Sequence, residues 1–389
     1  MSHRLVVIGA GYAGLLAAKR LARKLSRSDA TVTLVNASDR FVERVRLHQV
    51  AAGQPLAAPS LRQQLSGTSV RLVVGRVTAI DTARRTVCTD AAPGALGYDT
   101  LVYAVGSQAR FDDVPGAAEH ADAVADLEQA TRLRHRVAEI ASGGTVAVVG
   151  GGLTGLETAA ELAASHPGLR VRLFTGADDV GCGLAPRART HLRRALDRLD
   201  VSVHPGTVIA TVREDGLDTR DGTSFAADAV VWTTGFRAPE LARAAGFATD
   251  ESGRMLVDAT LRSISHPEVY AIGDAAAGVS AGGAPSRMSC QTALPMGRGV
   301  AEVIAARLAG REPAPVRIPY AFTNISLGRV TVSSSSPMPT TARAGSSSRD
   351  APRRPSRRLS YAARYVPGRA VSQAVTSRIP GSPPAAEIP

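Results

Sequence analysis

A chain of 389 residues is longer than one ordinary hydrophobic core can serve, and with 44% apolar residues it predicts two domains with additions. Of the formal charge of +12, +7 lies after Val330, where nine Arg face only Asp350 and Glu387; the body at +5 is only mildly basic and suggests no specific nucleic-acid partner. Cys88, Cys182 and Cys290 are too far apart to write a C-x-x-C redox pair or a metal-ligand cluster, so reduced thiols in a cytoplasmic protein are expected, with no metal.

The first landmark is Leu5-Val6-Val7-Ile8-Gly9-Ala10-Gly11-Tyr12-Ala13-Gly14, a short apolar strand entering G-x-G-x-x-G and then an Ala/Leu-rich helix. Gly9 permits the tight turn, Gly11 lets backbone approach a pyrophosphate, and Gly14 lets helix and strand pack, while the free N–H groups of the helix start face the phosphates. An apolar run behind His3 and Arg4 also has the look of a signal peptide, but Lys19, Arg20, Arg23 and Lys24 continue the same helix, so the cradle accounts for it better. Residues 31–35 read as a second parallel strand. Asn36 follows, where an acid usually binds the adenosine ribose. Residues 41–52, with Arg44 and His48, read either as a wall beside a bound dinucleotide or as a surface helix with a packed histidine. Residues 70–80, which include Val77, and residues 85–89 read as strands. Residues 100–106 are an apolar strand ending in Gly106, which lets backbone lie close to a ligand.

A connector over 112–116 and a helix over 126–141 lead to a second cradle, Thr145-Val146-Ala147-Val148-Val149-Gly150-Gly151-Gly152-Leu153-Thr154-Gly155. Two cradles imply two dinucleotides. The next strand, 171–174, ends at Thr175-Gly176, which carries neither the acid of an NADH site nor a clear arginine for NADPH; Arg172, Arg187 and Arg189 are the nearby cations. A helix over 187–199 and strands over 201–203, 208–212 and 229–233 follow, the last ending at Gly235 as the earlier one ends at Gly106. Val269-Tyr270-Ala271-Ile272-Gly273-Asp274 is a third strand-to-glycine turn, with Asp274 expected at a helix start. Residues 289–308 read as a helix interrupted at Pro295-Met296-Gly297.

Together these landmarks resemble the two-dinucleotide-binding flavoprotein superfamily that includes glutathione reductase. The resemblance implies an α/β fold of two Rossmann-like dinucleotide-binding domains, with FAD in the first cradle and NAD(P)H in the second. It implies a discontinuous FAD domain (1–110 and 260–330), a connector (111–142) and an inserted NAD(P)H domain (143–259). The cofactor-binding residues carried over are Gly9, Gly11, Tyr12, Ala13, Gly14, Asn36, Arg44, Val77, Gly106, Gly273 and Asp274 around the first cradle. Around the second they are Gly150, Gly152, Leu153, Thr154, Gly155, Thr175 and Gly235.

Without paired cysteines, the chain is most similar to the type II NADH dehydrogenases and to the ferroptosis-suppressor and apoptosis-inducing-factor flavoproteins. Residues 40–49 and 290–297 match the flavin-side and quinone-side segments of these proteins, and Gly155-Leu156-Glu157 matches their G-x-E. The implied activity is an FAD-dependent NAD(P)H dehydrogenase that passes hydride from nicotinamide to flavin and electrons to a quinone or similar small acceptor. Glu157 and Gln291 are the residues expected to shape the two faces of the flavin. A homodimer and a peripheral contact at the inner face of the cell membrane are further implications. Two alternatives stay open: a flavin- and NAD(P)H-binding redox sensor, and an inactive frameshifted copy.

Residues 331–389 hold 12 Ser, 9 Pro and 9 Arg with little apolar periodicity, which predicts a disordered basic tail. Ser326-Leu327-Gly328-Arg329 resembles the start of a segment that continues differently in relatives. The 44 Arg against 2 Lys imply GC-rich codons, in which reading one base earlier restores the expected words. A frameshift near Arg329, removing the closing strands and C-terminal helix, is therefore expected.

Overall fold

The computed structural model describes residues 2–319, 323–328 and, for the backbone alone, 332–335. Two five-stranded parallel sheets organise the chain. The first runs Val269–Ala271, Thr100–Tyr103, His3–Ile8, Ala30–Asn36, Arg71–Val74. The second runs Ser202–His204, Arg170–Phe174, Thr145–Val149, Ala229–Trp232, Ala121–Asp122. Parallel strands covered on both faces need continuous apolar runs. Leu5 to Ile8 and Thr145 to Val149 supply them and are buried throughout. A strand from late in the chain, Val269–Ala271, adds to the edge of the first sheet beside Thr100–Tyr103, so the second sheet is an insertion between two parts of the first.

The first cradle helix (Tyr12–Lys24) turns Ala17, Ala18 and Leu21 into the core. The closing helix (Cys290–Leu308) lies against it, and a Cβ on Gly297 would stand 2.5 Å from the Ala13 carbonyl oxygen, so only glycine permits this approach. The chain crosses between the two sheets twice, and the crossings pair: Gln108–Ala109 is antiparallel to Phe236–Arg237.

Several expectations are corrected. Residues 70–80 are two strands: Arg71–Val74 closes the first parallel sheet, and Val77–Asp81 joins an antiparallel sheet with Thr86–Thr89 and Ala95–Gly97. The break comes at Gly75, whose N–H goes to the Asn36 carbonyl while the next residue, Arg76, donates its N–H to the Asp90 carboxylate. The helix 290–308 is not interrupted. Pro295 sits inside it in the second turn, where its missing N–H leaves only the Gln291 carbonyl without its helical partner. The expected connector contributes Ala121–Asp122 and the helix Leu127–Glu139 to the second sheet and its core. Residues 323–328 do not belong to the first core: Ile325 and Leu327 are buried in the second, against the second cradle helix (Leu153–Ser165). Thr323–Ser326 pairs with Val332–Ser335, so regular structure extends past the boundary at 331 assigned to the tail. The disorder and frameshift expected for the rest of the tail lie outside the described residues.

Candidate functional site

The two cradles share one plan. Gly9 N–H donates to the Val35 carbonyl at 2.8 Å, and Gly150 N–H donates to the Phe174 carbonyl at 2.8 Å. Both glycines have positive φ, +94 and +118. A Cβ on Gly9 would lie 2.3 Å from the Ala104 carbonyl oxygen, and one on Gly150 would lie 2.5 Å from Thr233 Oγ1. Gly14 and Gly155 repeat the theme: a Cβ on either would stand 1.9 Å from the carbonyl oxygen of Gly9 or Gly150 respectively. Gly11 and Gly152 differ in kind. A Cβ there meets nothing within 4 Å. Their glycine identity is therefore not required by the protein's own packing, and the open space suits a pyrophosphate drawn close to backbone at a helix start.

The correspondence extends outward. Asn36 ends the strand beside the first cradle; its Oδ1 accepts the Ala10 N–H at 2.9 Å and its Nδ2 donates to the Ser38 carbonyl at 2.8 Å. Thr175 holds the matching place in the second, packed where a Cβ on Gly151 would come within 2.5 Å of its Oγ1. Gly106 and Gly235, with φ of +77 and +152, stand at the ends of the matching strands. Leu153 and Thr154 open the second cradle helix, as Tyr12 and Ala13 open the first. Val77 starts the antiparallel strand just beyond Gly75. Of the arginines near the second cradle, Arg172 lies over the Phe225 ring at 5.9 Å.

Around the mouth of the first cradle, segments from four parts of the chain converge. Gly273 and Asp274 occupy a 3-10 turn (Gly273–Ala275) followed by a short strand, not the start of an α-helix, so Asp274 is no helix cap. Its carboxylate accepts the Ser107 hydroxyl at 2.7 Å and stands 3.9 Å from an Arg44 amino group. Arg44 in turn lies over Phe236, 5.4 Å from the ring centroid, so it touches the segments following both Gly106 and Gly235. Burial lowers the Arg44 pKa, with Asp274 and then Asp126 opposing. Its Nη2 is buried without a hydrogen-bond partner, as is Gln291 Oε1 in the first turn of the closing helix. Two orphaned polar atoms, one donor and one acceptor, fit the polar edge and phosphates of a flavin dinucleotide better than they fit a packed core.

Cys290 and Glu157 complete the group. Burial pushes the Cys290 thiol up, and the charges of Asp274 and Glu157 add to it. Tyr12 is pushed up to about 12 by burial, with Cys290 and Glu43 contributing. Glu157 comes from the second cradle helix, and its carboxylate accepts the Ser326 N–H at 2.9 Å. Burial raises its pKa to about 7, the Ser326 amide opposing and Glu161 reinforcing the rise. Glu157, from the second cradle helix, thus acts electrostatically on Cys290, which opens the closing helix packed against the first cradle helix. Ser107, Ser326 and Met296, whose sulfur accepts the Gly273 N–H at 3.2 Å, carry no sequence signal for their roles. His48 is buried in the short helix Leu47–Ala51, and its Nε2 has no hydrogen-bond partner among the described residues.

Beside this site a groove of about 730 Å³ runs along the outer face of the first cradle helix, lined by Tyr12, Leu15, Leu16, Phe41 and Leu294 and rimmed by Lys19, Arg20 and Arg23. Cys88, Cys182 and Cys290 are each free. Among the described residues no group of three His, Cys, Asp or Glu could hold a metal, and no helix is long and apolar enough to cross a membrane.

Comparison with known proteins agrees with this architecture. An NADH dehydrogenase-like protein of Mycobacterium tuberculosis is 34% identical over 347 residues, covering 84% of this chain and 86% of its own length. A type II NADH:quinone oxidoreductase of the same species is 30% identical, covering 82% and 76%. Among solved structures, the ferredoxin reductase of a Rhodopseudomonas palustris cytochrome system superposes with a TM-score of 0.71 at 27% identity, covering 84% and 80%. The Plasmodium falciparum NDH2 in complex with NADH shares the fold, with a TM-score of 0.75 at 15% identity over 87% of this chain and 90% of that one. The family model for pyridine nucleotide-disulphide oxidoreductases matches residues 3–297, and the chain belongs to that family.

Proposed function

We propose that the protein is an FAD-dependent NAD(P)H dehydrogenase that delivers electrons to a quinone or similar apolar acceptor. The observation that carries the reading is the pair of matched cradles, each leaving open space beside a helix start at Gly11 or Gly152, with the Asp274–Arg44 pair at the mouth of the first. When bound, FAD supplies an acceptor for hydride that can release electrons to a second substrate.

The chain's own task is positioning. Gly9, Gly11, Tyr12, Ala13 and Gly14 would hold the phosphates of the first dinucleotide, and Asn36, Val77 and Gly106 would complete that site. Asp274, with Gly273, offers a carboxylate to hydroxyl groups; Ser107 and Arg44 fix its orientation. Gly150, Gly152, Leu153, Thr154 and Gly155 do the same for the nicotinamide dinucleotide, with Thr175 and Gly235 flanking. Gln291 presents a carbonyl oxygen from the first turn of a helix whose N-terminus favours developing negative charge. Glu157, on the second cradle helix, would shape the nicotinamide side of the site. The groove beside Tyr12 and Leu294 suits the apolar tail of a quinone, and its basic rim suits an anionic lipid surface.

The test is steady-state turnover of FAD-loaded protein with NADH or NADPH and a short-chain quinone. Turnover above about 1 per second supports the reading. Rapid, stable nicotinamide binding with turnover far below that marks a redox sensor instead.

A further inference from the structure

The turn that carries Asp274 is held on both sides by the neighbouring strand and its extension. The Ile272 N–H donates to the Tyr103 carbonyl at 3.0 Å, and the Asp274 carboxylate accepts the Ser107 hydroxyl at 2.7 Å. Between these two bonds the chain turns at Gly273, which is buried and has φ of +69. The Gly273 N–H donates elsewhere: its acceptor is the Met296 sulfur, 3.2 Å away on the closing helix.

A hydrocarbon side chain of similar size would fill the same space, but only the sulfur accepts a hydrogen bond. A buried N–H left without an acceptor is costly. Met296 is 0% exposed, and its side chain is confined. A Cβ on Gly278 would lie 2.8 Å from its terminal methyl, so the chain leaving the turn passes close over it. Beside Met296, Gly297 lets the closing helix approach Ala13, and a Cβ on Gly273 would itself lie 3.2 Å from the Ala13 Cβ. The first cradle helix, the Asp274 turn and the closing helix therefore interlock around the thioether. The same closing helix carries Gln291 in its first turn, with Oε1 buried and unpartnered. The bond from Gly273 to Met296 thus ties the turn bearing Asp274 to the helix bearing Gln291.

We propose that Met296 is a positioning residue for the flavin dinucleotide: its sulfur fixes the Gly273–Ala275 turn and so aims the Asp274 carboxylate at hydroxyl groups of FAD. Met296 acts through Asp274 and takes no part in the chemistry. With the acceptor gone, the Gly273 amide either stays unpaired or rotates toward another partner. Rotation there carries Asp274 with it, because the two residues adjoin. The inference rests on the reading of Asp274 as an FAD ligand and adds the group that decides where that ligand stands.

The experiment loads full-length protein with FAD, dilutes it and follows FAD release by flavin fluorescence. It compares wild type, Met296→Leu and Met296→Gln, each alone and combined with Asp274→Ala. Leucine keeps the bulk and loses the acceptor; glutamine keeps an acceptor. Met296→Leu releases FAD about five- to tenfold faster than wild type, and Met296→Gln stays within about twofold of it. In the Asp274→Ala background, Met296→Leu speeds release by less than about twofold further, because the group it positions is gone. A purely structural role would instead give the same acceleration in both backgrounds. That result, or wild-type release in Met296→Leu, or a Met296→Gln that releases as fast as Met296→Leu, overturns the inference while leaving Asp274 as a ligand. Wild-type release in Asp274→Ala overturns the reading of Asp274 and the inference with it. Should Met296→Leu fail to fold, norleucine incorporated at position 296, which replaces the sulfur by a methylene and changes nothing else, carries the same comparisons.

Discussion

The carboxylate of Glu157 accepts the backbone N–H of Ser326 at 2.9 Å, tying the second cradle helix to a strand that arrives 169 residues later. The carboxylate is held in a place where burial favours its neutral form and a single amide only partly offsets this. His48 is a buried group of the opposite kind, lowered to about 4 by burial and then by Arg46.

These two shifts give stability slopes of opposite sign. Glu157 is raised from 4.5 to about 7, so the folded state binds more protons than the unfolded state between those values, and its contribution is present below 4.5 and lost as pH rises toward 7. His48 is depressed from 6.5 to about 4, so the unfolded state binds more protons, and stability is lost as pH falls from 6.5 toward 4. Between 4.5 and 6.5 the two oppose each other. Glu157→Gln therefore gains stability with rising pH across that window, and His48→Gln loses it, each by at most about 1.4 kcal/mol per pH unit. Urea titrations of both variants across the window check this; a variant whose profile matches wild type shows that its group is not shifted.

The cradle glycines separate folding from binding. Gly11 has φ −70 and ψ −171, which any residue adopts, and open space where a Cβ would go. Gly11→Ala leaves the Tm of FAD-free protein unchanged or slightly higher, by up to about 1 kcal/mol in stability. FAD affinity drops by about tenfold or more, because the methyl takes the space that backbone needs to meet pyrophosphate. Gly14→Ala forces a Cβ to within 1.9 Å of the Gly9 oxygen and destabilises the fold itself by about 1–3 kcal/mol or more. Thermal melts with and without FAD distinguish the two, and equal melting losses in both variants would remove the assignment of Gly11 to the ligand.

Asp274 has no helix to cap, so its replacement reports on the ligand. A charge-assisted hydrogen bond contributes about 1.5–3 kcal/mol, so Asp274→Ala weakens FAD binding by about ten- to a hundredfold or more. Asp274→Asn retains an acceptor for the Ser107 hydroxyl but loses the charge facing Arg44, and binds FAD with intermediate strength. FAD occupancy after dialysis is the measurement; full occupancy in Asp274→Ala would mean that the carboxylate serves only Ser107 and Arg44.

Three free cysteines leave the electrons no dithiol to pass through. Replacing Cys88, Cys182 and Cys290 together with alanine changes the rate of flavin reduction by NAD(P)H less than about tenfold, equivalent to about 1.4 kcal/mol in barrier. Stopped-flow flavin absorbance reads this directly, and a larger loss in folded, FAD-loaded protein places a thiol on the electron path.

The sequence alone determined the two cradles and the strands that feed them, because their requirements are local. A glycine with φ of +94 or +118, a second where backbone must stay bare and a third under a carbonyl oxygen lie within six residues of one another, and buried parallel strands announce themselves as unbroken apolar runs. Asp274 was legible as a residue at a strand end, but its setting was not: the turn that holds it is 3-10, and its partners are Ser107 and Arg44, distant in the chain. The same reason hid the break at Gly75, where a bond to Asn36 ends one sheet, and the continuity through Pro295 of the closing helix, whose Gly297 packs against Ala13. Which core residues 323–328 join depended on Ile325 and Leu327 finding the second cradle helix. Tertiary structure alone decided that Glu157 meets Ser326, since contacts between distant segments are set by packing geometry that no local pattern encodes.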